Sequence, residues 1–128
     1  MAKVRPLKPK LVSPAVSADG DSTIRWIRSC LQYMRTECNL AANTLAAYGR
    51  DLDRFAVWSK GKNVSRLNVS QLADYLGWLH EKKLAPASIA RHLVALKLFY
   101  RYLQLEGIVR DNPAELLGSQ KMWQRVPD

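Results

Sequence analysis

Only two cysteines and two histidines occur among the 128 residues, which leaves little from which to build a metal centre or a disulfide framework. Cys30 and Cys38 lie eight apart on one predicted helix, too far along its axis for a bridge within it, and are expected as reduced, buried thiols. Neither sits in a Cys-x-x-Cys pair, and His80 and His92 lack partners at ligand spacing, so no metal and no cofactor is expected. No apolar run is long enough for a signal peptide or a membrane span, and a cytoplasmic, nucleoid-associated location is expected. Strand signals are absent as well, since no stretch alternates Val, Ile or Thr with polar residues. Acid is scarce: 11 Asp and Glu face 20 Lys and Arg, a net charge of +9. That excess favours polyanionic partners through long-range attraction and counterion release, with nucleic acid ahead of an anionic membrane surface.

What is present fits one folded domain with tails. Apolar residues make up 48% and charged residues 24% of the chain, ordinary for a globule and too apolar for a disordered chain. Residues 1–21 are rich in Lys, Pro, Ser and Ala without periodicity, and are expected to form a disordered basic arm; it is read first as an untethered terminus, with loose phosphate contacts by Lys3, Arg5, Lys8 and Lys10 as the alternative. A first helix is predicted over about 22–38, where Ile24, Ile27, Leu31, Met34 and Cys38 recur at three- and four-residue steps. A second follows Asn39 and ends at Gly61, a glycine suited to the position just past a helix. A third begins at Asn68, capped by that side chain with Gln71 reaching back, and buries Leu72, Leu76 and Leu79 beside Tyr75 and Trp78. The fourth opens at Pro86 and is closed by Gly107. Asn112-Pro113-Ala114-Glu115 repeats the start signal for a short fifth helix. The expected fold is all-α, a compact bundle of four main helices and a short fifth.

The second and fourth helices each carry two unlike faces. At ~100° per residue, Leu45, Tyr48, Leu52 and Phe55 share one side of residues 43–60, and Asn43, Ala47, Arg50 and Arg54 the other. In residues 86–106, Ile89, Leu93, Leu96, Tyr100 and Leu103 form the inward stripe, with Ser88, Arg91 and Ala95 pointing away. Beyond Lys97, Leu98, Phe99 and Tyr102 cover the outer side too, so only the N-terminal half is expected to stay free for a partner.

Two segments carry a family resemblance. Asn43-Thr44-Leu45-Ala46-Ala47-Tyr48-Gly49-Arg50-Asp51-Leu52 resembles the N-T-x-x-x-Y-x-x-D-L signature of tyrosine recombinases. Residues 88–103, with Glu106-Gly107 and Asn112-Pro113, resemble the S-x-x-R-x-L-x-A-L-x-x-F-Y-x-Y-L, E-G and N-P run of the Xer-like branch. The resemblance covers roughly residues 22–128 and implies an N-terminal core-binding domain of the SAM-like integrase type over 22–118, which clamps one side of a recombination site. It further implies that residues 119–128, with Lys121 and Pro127, begin a linker to a catalytic domain absent from this sequence. The family's chemistry uses a Tyr nucleophile, arginines, a lysine and a His-x-x-Arg element, and neither His80 nor His92 has Arg at that spacing. No catalytic residue is therefore expected here, and Tyr33, Tyr48, Tyr75, Tyr100 and Tyr102 are read as packing residues. The chain departs from relatives by placing Ala41 and Ala85 where they often have Ser. Without a capping oxygen at Ala41, the start of the second helix is expected to shift to Asn43.

The grip follows from groove chemistry. A major groove admits an α-helix, Arg bonds guanine bidentately, and hydroxyls and backbone N–H groups hold phosphates. Arg50 and Arg91 are assigned to the groove, on base or phosphate, and Arg54, Lys82 and Lys83 to phosphates. Thr44 and Ser88 are placed in first turns, where free N–H groups favour an anion, and Ala47 and Ala95 are expected to permit close approach. Asn43 and Lys121 complete the candidate set. Duller roles compete: Arg50 can pair with Asp53 or Arg54 with Asp51 at i, i+3, Ser88 can bond its own helix end, and Asn43 can cap.

The reading is thus double-stranded DNA binding within a site-specific recombinase or integrase, without strand-cleaving activity in this stretch. Other protomers on DNA are expected partners, a membrane is not, and the isolated domain is expected to be monomeric. The alternative is a helical protein-interaction module for protomer assembly, presenting the first or fifth helix or Trp123. A helix-turn-helix repressor needs a tight turn, which the ~25 residues between the second and fourth helices exclude.

Overall fold

A computed structural model describes residues 20–117; the basic arm, Lys121, Trp123, Pro127 and the expected linker lie outside the described residues. Four α-helices follow one another: α1 (Gly20–Thr36), α2 (Ala42–Trp58), α3 (Val69–Glu81) and α4 (Pro86–Leu105), with a 3₁₀ turn at Val64–Arg66 before α3. No strand occurs among the described residues. The start of α3 follows from sequence chemistry: Asn68 Oδ1 accepts from Gln71 N at 2.8 Å while Gln71 Oε1 accepts from Asn68 N at 2.9 Å, so each satisfies an otherwise unpaired donor. Pro86 opens α4, and Gly107, at φ +76°, turns the chain out of it through the left-handed region. The expected fifth helix takes the form of turns over residues 113–117, started by Asn112 Oδ1 accepting from Ala114 N and tied to α4 by Asn112 Nδ2 donating to Lys97 O.

An aromatic layer joins α2, α3 and α4. Phe55 is the hub, with ring centroids 5.1 Å from Tyr75, 6.0 Å from Phe99 and 6.3 Å from Tyr100, all edge-on. The Tyr100 hydroxyl donates to Val64 O at 2.6 Å, which ties the 3₁₀ turn to α4. Burial pushes the phenols of Tyr75 and Tyr100 well above their ordinary range; both are packing groups. Along α2 and α4 the contacts advance in one sense, from Asp51 with Arg91 to Phe55 with Phe99 and Tyr100, which sets the N-terminal halves of both helices at the same end of the bundle.

Two inward expectations fail on α1. Ile24 is 42% exposed, while Ser22 and Thr23 are buried; the stripe begins to pack only at Ile27, because the first turn of α1 presents a different side to its neighbours. Cys30 is buried but Cys38 is exposed, since α1 ends at Thr36 and Asn39 takes a left-handed φ of 59° that turns the chain away. Burial, then the neighbouring Cys38, pushes the Cys30 thiol up to about 12, leaving it about four orders of magnitude less thiolate than thiol at pH 8. Iodoacetamide at pH 8 is accordingly expected to add once to the native chain, at Cys38, and twice only after denaturation; mass spectrometry finding two adducts on the native chain contradicts this packing.

Candidate nucleic-acid interface

The surface shared by α2 and α4 is organised around a carboxylate. Asp51 is only 3% exposed, and a buried carboxylate needs a partner and hydrogen bonds to stay in place. Arg91 supplies both: its Nε donates to Oδ2 at 2.8 Å and its Nη2 to Oδ1 at 2.9 Å, a side-on bidentate pair across the two helices. The hydrogen bond to Asp51 raises the guanidinium pKa above its ordinary value. His92 lies beneath, with Nδ1 2.8 Å from Ser88 O and 3.4 Å from Asp51 Oδ1. A carbonyl oxygen only accepts, so Nδ1 carries the proton. His92 Nε2 and the Tyr75 hydroxyl are left as buried atoms without a partner among the described residues.

Around this pair the candidate residues fall into three groups. Arg50 and Arg54 flank Asp51 on α2, both exposed, and no carboxylate of the described residues lies within ion-pair distance of either. The local pairs Arg50 with Asp53 and Arg54 with Asp51 do not form, and Asp51 is paired with Arg91 instead. Thr44 and Ala47 on α2 and Ser88 on α4 are half-buried. Lys82 and Lys83 are exposed just past α3 and, four and three residues before Pro86, stand near the start of α4. Lys82 Nζ sits 5.0 Å over the Trp78 ring, and Lys83 holds a left-handed φ of 61° where a helix normally ends on glycine.

Three expectations are corrected. Asn43 does not cap: Ala41 takes the cap position with extended backbone at φ −69° and ψ 157°, and Asn43 is exposed in the first turn. The starts of α2 and α4 both lack a side-chain cap bond, so their first N–H groups have no side-chain acceptor. Ala95, expected outward, is fully buried; its small side chain belongs to the core, not to an approaching partner. Arg91, expected free, is half of an interhelical ion pair.

Asp51 and His92 escaped sequence reasoning because polar residues at the flank of an apolar stripe read as solvated. A signal existed, since Asp51 and Arg91 are opposite charges at fixed places in the two quoted motifs.

The model of a family described as phage integrase, N-terminal SAM-like domain matches residues 27–107, from within α1 to the glycine beyond α4. A tyrosine recombinase XerC of Herpetosiphon aurantiacus is 40% identical over 100 residues, covering 76% of this chain and 33% of the relative. A tyrosine recombinase XerD of Rhizobium meliloti is 33% identical over 109 residues, covering 84% and 35%. A XerD of Vibrio cholerae is 36% identical over 104 residues, covering 79% and 34%. The chain therefore spans roughly a third of the length of these curated relatives. No solved structure matches it.

Two stability outcomes follow from the geometry. Arg91→Ala strands the Asp51 carboxylate; a fully buried pair broken this way loses roughly 3–5 kcal/mol, and partial solvation of the 38% exposed Arg91 side chain brings the expected loss to ~2–3 kcal/mol. Arg50→Ala is expected to stay within about 0.5 kcal/mol, and urea melts that rank the two equally contradict the ion pair's role. Lys83→Gly relieves a left-handed backbone and is expected to stabilise by about 1 kcal/mol, whereas Lys83→Ala in the same melts brings no gain.

Proposed function

The chain belongs to the phage integrase N-terminal SAM-like domain family, and on that premise we propose that it is the DNA-binding part of a site-specific tyrosine recombinase. The N-terminal halves of α2 and α4 enter or straddle the major groove of a recombination site. The strand-exchange chemistry is assigned to no residue described here. The observation that carries this reading is the exposure of Arg50 and Arg54, without a carboxylate partner among the described residues, on either side of the Asp51 that pairs with Arg91, with the α4 start, Ser88, Lys82 and Lys83 nearby. The net charge of +9 and relatives whose names are tyrosine recombinase XerC and XerD support it.

The roles divide by chemistry. Arg50, Arg54, Lys82 and Lys83 neutralise phosphates, and Thr44 and Ser88 add hydroxyls beside the uncapped first turns, where the helix dipole favours an anion. Asn43 is placed at the groove edge, and Ala47 keeps the α2 surface low enough for close approach. Lys121 is proposed as a further phosphate contact on the way to a catalytic domain. The second reading, a docking module for other protomers, draws on the exposed apolar side chains Ile24, Val57, Val94 and Leu105.

Titration of the chain with duplex DNA is expected to give weak binding that falls by orders of magnitude between about 50 and 200 mM salt, with amide shift changes centred on Arg50, Ser88 and Arg91. Changes confined to α1, or affinity insensitive to salt, remove the proposed interface. Oligomers forming in light scattering without DNA favour docking instead.

A further inference from the structure

The side-on pairing of Asp51 with Arg91 divides the guanidinium into two edges. Nε and Nη2 face the carboxylate, and the plane of the group fixes where the other edge points: Nη1 and the second hydrogen of Nη2 form a parallel fork directed away from Asp51. No protein acceptor among the described residues meets Nη1, and the side chain is 38% exposed. The fork is therefore presented to solvent in one orientation, set by a carboxylate that is itself locked in the interface of α2 and α4.

From this geometry we infer that Arg91 reads a guanine through its Nη1/Nη2 fork and that Asp51 is the positioning residue that aims it. The inference rests on the proposed DNA-binding reading. Two ligands suit such a fork, a phosphate and the O6/N7 edge of guanine in the major groove. Electrostatics separates them. A phosphate is drawn by net positive charge, and Asp51 cancels that of Arg91; the phosphate would also face a carboxylate across the guanidinium plane. The guanine edge is uncharged, needs two aligned donors, and loses nothing when the arginine's charge is neutralised behind it. Holding the long side chain in place beforehand also lowers the ordering cost of the contact. Arg50 and Arg54, with no carboxylate of the described residues within ion-pair distance, have the opposite profile and suit phosphates.

The test is selection of binding sequences from a randomised duplex library by the 128-residue chain, its Arg91→Lys variant, its Asp51→Asn variant, and the double Asp51→Asn, Arg91→Gln variant, which removes the ion pair without leaving a lone buried charge. Circular dichroism establishes that each is folded. The wild type is expected to enrich guanine at one position by roughly tenfold over other bases. Arg91→Lys and the double variant lose that preference and keep the others, because Lys has no fork. Asp51→Asn blurs the preference while binding random duplex more tightly, having gained a positive charge. The salt slope of wild type and Arg91→Lys is expected to be the same. Retained guanine preference in the double variant overturns the inference. So does a salt slope that drops by about one in the double variant with every base preference intact, the mark of a phosphate contact. Failure of the wild type itself to bind duplex under low salt removes the DNA-binding reading beneath it, and is told apart because no variant then differs from wild type.

Discussion

A single buried carboxylate constrains how α2 and α4 meet. Apolar side chains around Leu52, Phe55, Leu96 and Phe99 bring the two helices together, but dispersion and area burial tolerate some rotation about either axis. Asp51 does not. With 3% of its surface exposed, it needs both Arg91 donors at 2.8 and 2.9 Å, and that geometry holds at one azimuth of each helix. Once Asp51 is turned inward, Arg50 and Arg54 on either side of it are left exposed, and Ser88, one turn before Arg91, is carried to the same surface. The charge pattern of the exterior is thus set from inside.

The same constraint explains the residues next to it. Ala95, one turn beyond Arg91, is fully buried, and a larger side chain there would have to displace its neighbours in the core. His92 fills the space below the carboxylate and directs Nδ1 to Ser88 O, which turns an i to i−4 bond into a brace for the first turns of α4. That brace matters because α4 begins at Ala85 with no side-chain cap, as α2 begins at Ala41. Tertiary contacts, not capping, stabilise both helix starts.

Much of this architecture is legible in the sequence where chemistry is local. The Asn68 and Gln71 capping box, Pro86 at the head of α4 and Gly107 past its end need only neighbours within a few residues, and each stands where spacing placed it. The stripe of Ile89, Leu96, Tyr100 and Leu103 is buried for the same reason. What escapes is decided by contacts at long separation. A helical projection with one apolar stripe allows one buried side, but α2 packs on α1 and α4, and α4 on α1, α2 and α3, so residues between those contacts are buried although they project away from the stripe. Asp51 and Ala95 lie in such places. The cap expected at Asn43 failed differently: Ala41 adopts the extended backbone a cap requires without offering an oxygen, because backbone geometry at a helix start is fixed by the preceding turn, not by the side chain.

On the proposed DNA-binding reading, separating attraction from aim accounts for exposed and paired arginines on one surface. A chain with a net charge of +9 would gain affinity for any duplex from cations without carboxylate partners, and that gain is blind to sequence. Sequence discrimination needs donors held in register with base edges, which a flexible free arginine provides poorly and a braced one provides well. Placing Arg91 against Asp51 removes one unit from the indiscriminate attraction and converts a mobile side chain into a fixed one. Because the brace is also a contact that orients α2 against α4, packing and aim are coupled: the helix arrangement that keeps Asp51 paired also fixes the direction of the Arg91 fork.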